Sequence, residues 1–322
     1  MLKLILKAVD KVLIIDNRYE IYDQEEESLK IDELYKAKDL QLDLFVYIKI
    51  LENNRNVKDD FIPDLIDEST MILSIGSNNI AKILDIGEYK SLYYIVSEYF
   101  EGVKLYDFVN DFNLRVKDIL FIGKQIVGAM KNCDEKKLYH GGLRLDNILV
   151  GKDLDIKIYD LGITKANGGV NIRMNDNISF LCPHQLNINY TDRESDFFSI
   201  GIILYYCVFK KMPFEIGNTD LKMLRNIDKG IKIDQDKVTV LNEGLVHIIK
   251  KLLDRKDKYQ SYNEILIDLT ELMYVKADIV KNNYVHLDED INYNKKSKKD
   301  NSFMIKFISI IMCIIILIMI IL

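Results

Sequence analysis

The sequence predicts an α+β chain of two lobes, a small strand-rich lobe followed by a larger helical one, ending in an apolar segment of membrane-spanning type. Three observations predict it. Through residues 19–97 apolar and polar residues alternate in short runs, the period of half-buried strands. From 103 to 275 the apolar spacing lengthens to three and four, the period of helices packed on one face. Residues 307–322, FISIIMCIIILIMIIL, carry no charge and follow a lysine-rich run.

The 322 residues, 48% hydrophobic and 29% charged, suffice for one two-lobed domain and exclude a disordered composition. Four cysteines (Cys133, Cys182, Cys207, Cys313) show no CxxC spacing. They are expected to be reduced packing residues, without disulfides or structural zinc. The net charge of -6 hides a polarity: residues 295–306, KKSKKDNSFMIK, hold five lysines against one aspartate, so the body is more acidic than the total. An acidic body argues against nucleic acid as a partner.

Residues 1–18 form an N-terminal extension in which Leu2, Leu4, Ile5, Val9, Val12 and Leu13 suggest an amphipathic helix, or a strand, packed on the body. Lys7, Asp10 and Lys11 interrupt it too often for a signal peptide. YEIYD (19–23), ELYKAKD (33–39) and LFVYIKIL (44–51) are expected strands, followed by a helix over Phe61 to Ile75 and strands over Ile80 to Gly87 and Leu92 to Val96. A helix over Ile119 to Cys133 leads to the segment on which the site depends, residues 139–166. There a loop ends in Asp146-Asn147, strands Ile148 to Val150 and Ile156 to Tyr159 form a hairpin, and Asp160-Leu161-Gly162 follows. An amide oxygen and a carboxylate at the two ends of a short hairpin can share Mg²⁺ ions that bridge nucleotide phosphates. Asn147 and Asp160 are therefore the candidate metal ligands. Beyond them come a polar, mobile loop to Pro183, a buried helix within Thr191 to Phe214 capped at Ser195-Asp196, and last helices over Leu245 to Leu253 and Tyr262 to Met273.

HGGLRLDN (140–147) resembles the protein-kinase catalytic loop H-R-D-L-x-x-x-N, and DLG (160–162) resembles the metal-binding D-F-G. On these motifs and their spacing over residues 19–275 the chain is identified as a member of the bacterial, Hanks-type Ser/Thr protein kinase family. The resemblance implies a small lobe at 19–97 and a large lobe at 103–275. Lys49, in VYIK, takes the position of the phosphate-holding strand lysine, and Glu68 that of the helix carboxylate expected to pair with it. Glu98 and Phe100 fall on the hinge, whose main chain binds adenine in the family.

Departures from the pattern are as informative. Gly142 stands where kinases carry the aspartate that accepts the substrate proton. The three phosphate-loop glycines fall on Glu27, Leu29 and Asp32, in an acidic stretch with Asp23, Glu25 and Glu26. A like charge at ~8 Å from a phosphate costs about 2 kcal/mol at an effective dielectric near 20. Whether that acidic hairpin faces the cleft or the solvent stays open. Tyr47 replaces the alanine that roofs adenine and would partly fill the base pocket. His184 and Lys258 take the places of a glutamate and an arginine that brace the large lobe; two cations cannot form that pair, so an absent or apolar brace is expected. Asp196 is expected to accept hydrogen bonds from the catalytic-loop backbone.

At the end of the chain, 276–302 is a polar juxtamembrane linker and 303–322 a transmembrane helix, with Lys306 snorkelling. The uncharged sixteen residues alone span about 24 Å at ~1.5 Å per residue, short of a ~30 Å hydrocarbon core. The flanking lysines put the body on the cytoplasmic side of the cell membrane, and no outer domain is expected. Three functions fit: a membrane-tethered pseudokinase that binds a protein partner, with weak or absent ATP and Mg²⁺ binding; an active Ser/Thr kinase with a non-standard catalytic loop; and a nucleotide-gated switch that binds ATP without turnover.

Overall fold

The computed structural model describes residues 13–22, 29–52, 57–172, 178–234, 238 and 243–282. All of them belong to one compact unit, Met1–Val285. The acidic run at 23–28 and the expected span at 303–322 lie outside the described residues. Among the described residues no helix is long and apolar enough to cross a membrane.

The small lobe is a six-stranded antiparallel sheet of β1 (Leu13–Ile15), β2 (Tyr19–Ile21), β3 (Leu34–Asp39), β4 (Leu44–Glu52), β5 (Ile83–Tyr89) and β6 (Leu92–Glu98). Its order is β1-β2-β3-β4-β6-β5. Leu13 to Ile15, read from sequence as part of the extension, pairs with β2 as the edge strand. Asp16 and Asn17, both at φ 51°, form the tight turn between them. Two consecutive positive-φ residues match the right-handed twist of a hairpin.

Alternation along β4 decides what faces the cleft. Val46, Ile48 and Ile50 enter the outer core of the sheet with Tyr19, Ile21 and Val96. Tyr47, Lys49 and Leu51 therefore point the other way. Helix α1 (Phe61–Ile75) buries Phe61, Leu65 and Ile72 in the main core shared with the large lobe.

The large lobe holds β7 (Val103–Lys104), α2 (Leu105–Asp111), α3 (Val116–Asp134), β8 (Ile148–Val150), β9 (Ile156–Ile158), α4 (Ile163–Ala166), α5 (Pro183–Ile188), α6 (Arg193–Phe209), α7 (Asp220–Asp228), α8 (Glu243–Leu253) and α9 (Tyr262–Asn282). Strands β7, β8 and β9 form a second small sheet. Helix α6 is apolar all round and buried along almost its whole length, as a central helix must be. At Gly201 a Cβ would sit 2.8–2.9 Å from Leu252 and Leu253 on α8, so only glycine permits that approach. The cap of α6 lies three residues before the expected one: the Asp192 carboxylate accepts the Ser195 N–H at 3.1 Å, and Ser195 Oγ accepts from the Asp192 N–H. The polar segment after Gly162 begins as ordered backbone, with α4 followed by Gly168 and Gly169 at positive φ.

The brace is absent, the first of the two expected outcomes. His184 and Lys258 do not meet, but neither position is apolar. His184 Nε2 lies 3.1 Å from Asp192 Oδ1 and 3.0 Å from Ser195 Oγ, and Lys258 pairs with Glu194. Both cations are thus tied separately to the first turn of α6, where carboxylates are available. The hydrogen bond to Asp192 and the contact with Cys182 raise the His184 pKa to about 10, against burial. A folded pKa above the unfolded ~6.5 means that this contribution to stability is full below pH ~6.5 and is lost as pH rises through about 10. We expect thermal melts of the wild-type chain to fall over that window and those of His184→Asn to fall less. Parallel curves would contradict the pairing.

Candidate functional site

The cleft lies where β4, the catalytic-loop segment and the β9–α4 turn converge. Lys49, only 4% exposed, holds two carboxylates on one Nζ: Asp32 at 2.6 Å and Asp160 at 2.7 Å. Burial opposes both charges, but Lys49 is raised above and Asp160 lowered below the ordinary range because each stabilises the other. The expected Lys49–Glu68 pair is absent. Glu68 instead contacts Lys165 at 3.5 Å, and its Oε2 is buried without a partner. Burial raises the Glu68 pKa accordingly. Two nearer carboxylates had already matched the lysine.

The catalytic loop is held from below. Asp196, fully buried, accepts the His140 N–H at 2.9 Å and the Gly141 N–H at 2.8 Å, as expected from sequence. His140 Nε2 lies 2.8 Å from the Tyr159 carbonyl, and its Nδ1 accepts the Gly142 N–H at 3.3 Å. Burial lowers its pKa, so the neutral ring donates at Nε2 and accepts at Nδ1. Both nitrogens are engaged within the fold, which leaves His140 structural. Asn147 donates to the Gly142 carbonyl at 2.9 Å and accepts the Arg144 N–H at 3.0 Å.

At Gly142 itself a Cβ would lie 3.2 Å from the Asn171 side-chain nitrogen, a donor. The cavity there, about 60 Å³, includes two carboxylates, Asp32 and Asp160, both matched by cations. Asp146 lines the adjoining polar pocket and not this cavity.

That polar pocket, about 280 Å³, brings together Lys49, Asn147 and Asp160 from the sequence-derived set and adds Asp32, Lys104 and Arg144. Small-molecule sites usually measure ~300–1,000 Å³. An amide oxygen and a carboxylate are a donor set suited to Mg²⁺. At the base end Tyr47 stacks on Tyr99 at 5.3 Å and meets Tyr159 edge-on at 5.5 Å. Leu34 and Phe100 pack on the same cluster. The Tyr159 hydroxyl donates to the Glu98 main-chain carbonyl at 2.9 Å, occupying the hinge acceptor expected for adenine. The Glu98 carboxylate pairs with Lys157 at 2.8 Å, away from any role through its side chain.

Arg144 and Tyr159 were not singled out from the sequence. Arg144 is the one cation in HGGLRLDN, which could have marked it; Tyr159 reads as an ordinary strand-end aromatic, without the motif position that marks Tyr47.

Comparison with known proteins agrees with this geometry. Residues 30–266 match the protein kinase domain family. The chain is 28% identical over 268 residues to a probable serine/threonine-protein kinase of Clostridium perfringens, covering 80% of this chain and 39% of that protein. A second, from Clostridium acetobutylicum, is 28% identical over 289 residues, covering 86% and 42%. The serine/threonine-protein kinase PrkC of Bacillus subtilis is 31% identical over 187 residues, covering 56% and 29%. The chain thus spans about two fifths of the length of the two clostridial relatives. With Lys49, Asn147 and Asp160 converging on one cleft between a β-rich and a helical lobe, and with the family match running through both, the chain belongs to the protein kinase family, alongside bacterial Ser/Thr kinases.

Proposed function

We propose that this protein is a membrane-tethered pseudokinase, a kinase fold used to bind a protein partner on the cytoplasmic face of the cell membrane, with weak or no ATP and Mg²⁺ binding. The observation that carries the reading is Gly142. Its place in the loop offers no proton acceptor, the group facing it is the Asn171 amide, and the carboxylates in the same cavity are held by cations. Positioned proton transfer supplies ~10² to 10⁴ in rate, roughly 3–5 kcal/mol, and its loss compounds the poor fit for nucleotide. An active kinase is the second reading, favoured by the meeting of Lys49, Asn147 and Asp160 in one pocket, because phosphoryl transfer rests mainly on positioning and metal electrostatics.

Detergent-solubilised full-length chain, incubated with Mg²⁺ and γ-labelled ATP, is expected to label neither itself nor a generic protein substrate above the level of an Asp160→Asn control. Labelling that the Asp160→Asn change removes would establish the active reading. The tether rests on the uncharged 307–322 segment and its lysine flank. Deletion of 303–322 is expected to move the chain from the membrane to the soluble fraction of cells.

A further inference from the structure

The phosphate end of the cleft is already occupied by the chain itself. Asp32 stands at the third phosphate-loop position, at φ 66°, a left-handed conformation that favours glycine. Its backbone N–H, which in a glycine loop would be free to approach phosphate, donates at 2.8 Å to the Ile50 carbonyl on β4. Its side chain turns into the cleft, where Oδ1 meets Lys49 at 2.6 Å and Oδ2 meets Arg144 at 2.6 Å. One carboxylate oxygen per cation is the arrangement that two oxygens of a phosphate group would make with the same pair. The next residue, Glu33, pairs with Lys104. Among the described residues, Lys49, Arg144 and Lys104 are the cations lining the polar pocket, and two consecutive acids pair with all three. An incoming polyphosphate would meet no uncompensated positive charge among the described residues of the pocket and would have to displace a buried ion pair.

We propose that Asp32 is an internal phosphate surrogate, a single carboxylate that holds Lys49 and Arg144 together and excludes nucleotide phosphates from the cleft. The proposal rests on reading this cleft as a kinase nucleotide site, but it concerns binding at the phosphate end and not transfer.

The test uses Mg²⁺-tripolyphosphate, which reports on that end alone, because the base end is closed separately by Tyr47 and Tyr159. Calorimetric titrations of the detergent-solubilised full chain compare wild type with Asp32→Gly and Asp32→Asn. Glycine suits the backbone at this φ, and asparagine tolerates it while keeping the side-chain shape, so the two variants remove the charge by different routes. Wild type is expected to show no binding at millimolar ligand. Both variants are expected to bind at least about 100-fold more tightly, the scale set by removing one like charge at near-contact distance, and a second change, Arg144→Gln, is expected to cancel the gain. Wild type binding as tightly as the variants overturns the proposal. So does a failure of whichever variant melts cooperatively to gain binding. Phosphoryl transfer by the wild type would refute the pseudokinase reading, whereas absent transfer without a gain in the variants would refute only the surrogate.

Discussion

Lys49→Met is expected to destabilise the chain by about 3–5 kcal/mol, the range for removing one partner from a buried ion pair. A lysine kept only to hold a ligand would be nearly silent in the free protein. Here its removal leaves the Asp32 and Asp160 carboxylates facing each other in surroundings where each is at most 13% exposed, with Arg144 touching Asp32 alone. The pH dependence gives a second check. Asp160 titrates below its ordinary range in the wild type, although burial alone would raise it, so its contribution to stability is present above the unfolded carboxylate pKa near 4 and is lost as pH falls further. In the variant the same carboxylate loses its cation, and protonation relieves repulsion. The gap between the two proteins should therefore narrow below pH ~5 in denaturant titrations. A Lys49→Met chain as stable as wild type at neutral pH would mean that the Asp32–Lys49–Asp160 cluster contributes no net energy to the fold.

Asp196→Ala is expected to cost roughly 2–5 kcal/mol. It would strand the His140 and Gly141 N–H groups, each worth ~1–3 kcal/mol when buried without an acceptor. Asp196→Asn keeps one acceptor oxygen and should lose less. Burial raises the Asp196 carboxyl to about 7, with the two N–H bonds working against that rise, so the group is held in place by geometry more than by charge. Because these two bonds fix the loop that carries Gly142 and Asn147, hydrogen exchange at 140–147 should accelerate more than at the α3 core. Equal acceleration everywhere would reduce Asp196 to a generic packing residue.

Much of this site could be read from residue order. Period-two alternation placed Tyr47 and Lys49 on the same face of one strand, and the hairpin spacing put Asn147 and Asp160 at its two ends; both follow from local backbone geometry, which a sequence encodes directly. Gly142 was legible because a missing side chain needs no coordinates to be missed. Helix α1 kept its expected bounds because its apolar spacing marks one face, and α6 kept its place because its long apolar run suits a central helix.

What the sequence could not decide was which carboxylate reaches Lys49. Asp32, Glu68 and Asp160 are each plausible by spacing, and the choice turns on where α1 rests and how residues 29–33 lie against β4. Asp32 is set beside Lys49 by its backbone bond to Ile50, Asp160 comes from a segment more than a hundred residues away, and an ion pair falls off over a few ångströms. The tertiary structure alone therefore decided that Lys49 is matched from the phosphate loop and that Tyr159 caps the hinge.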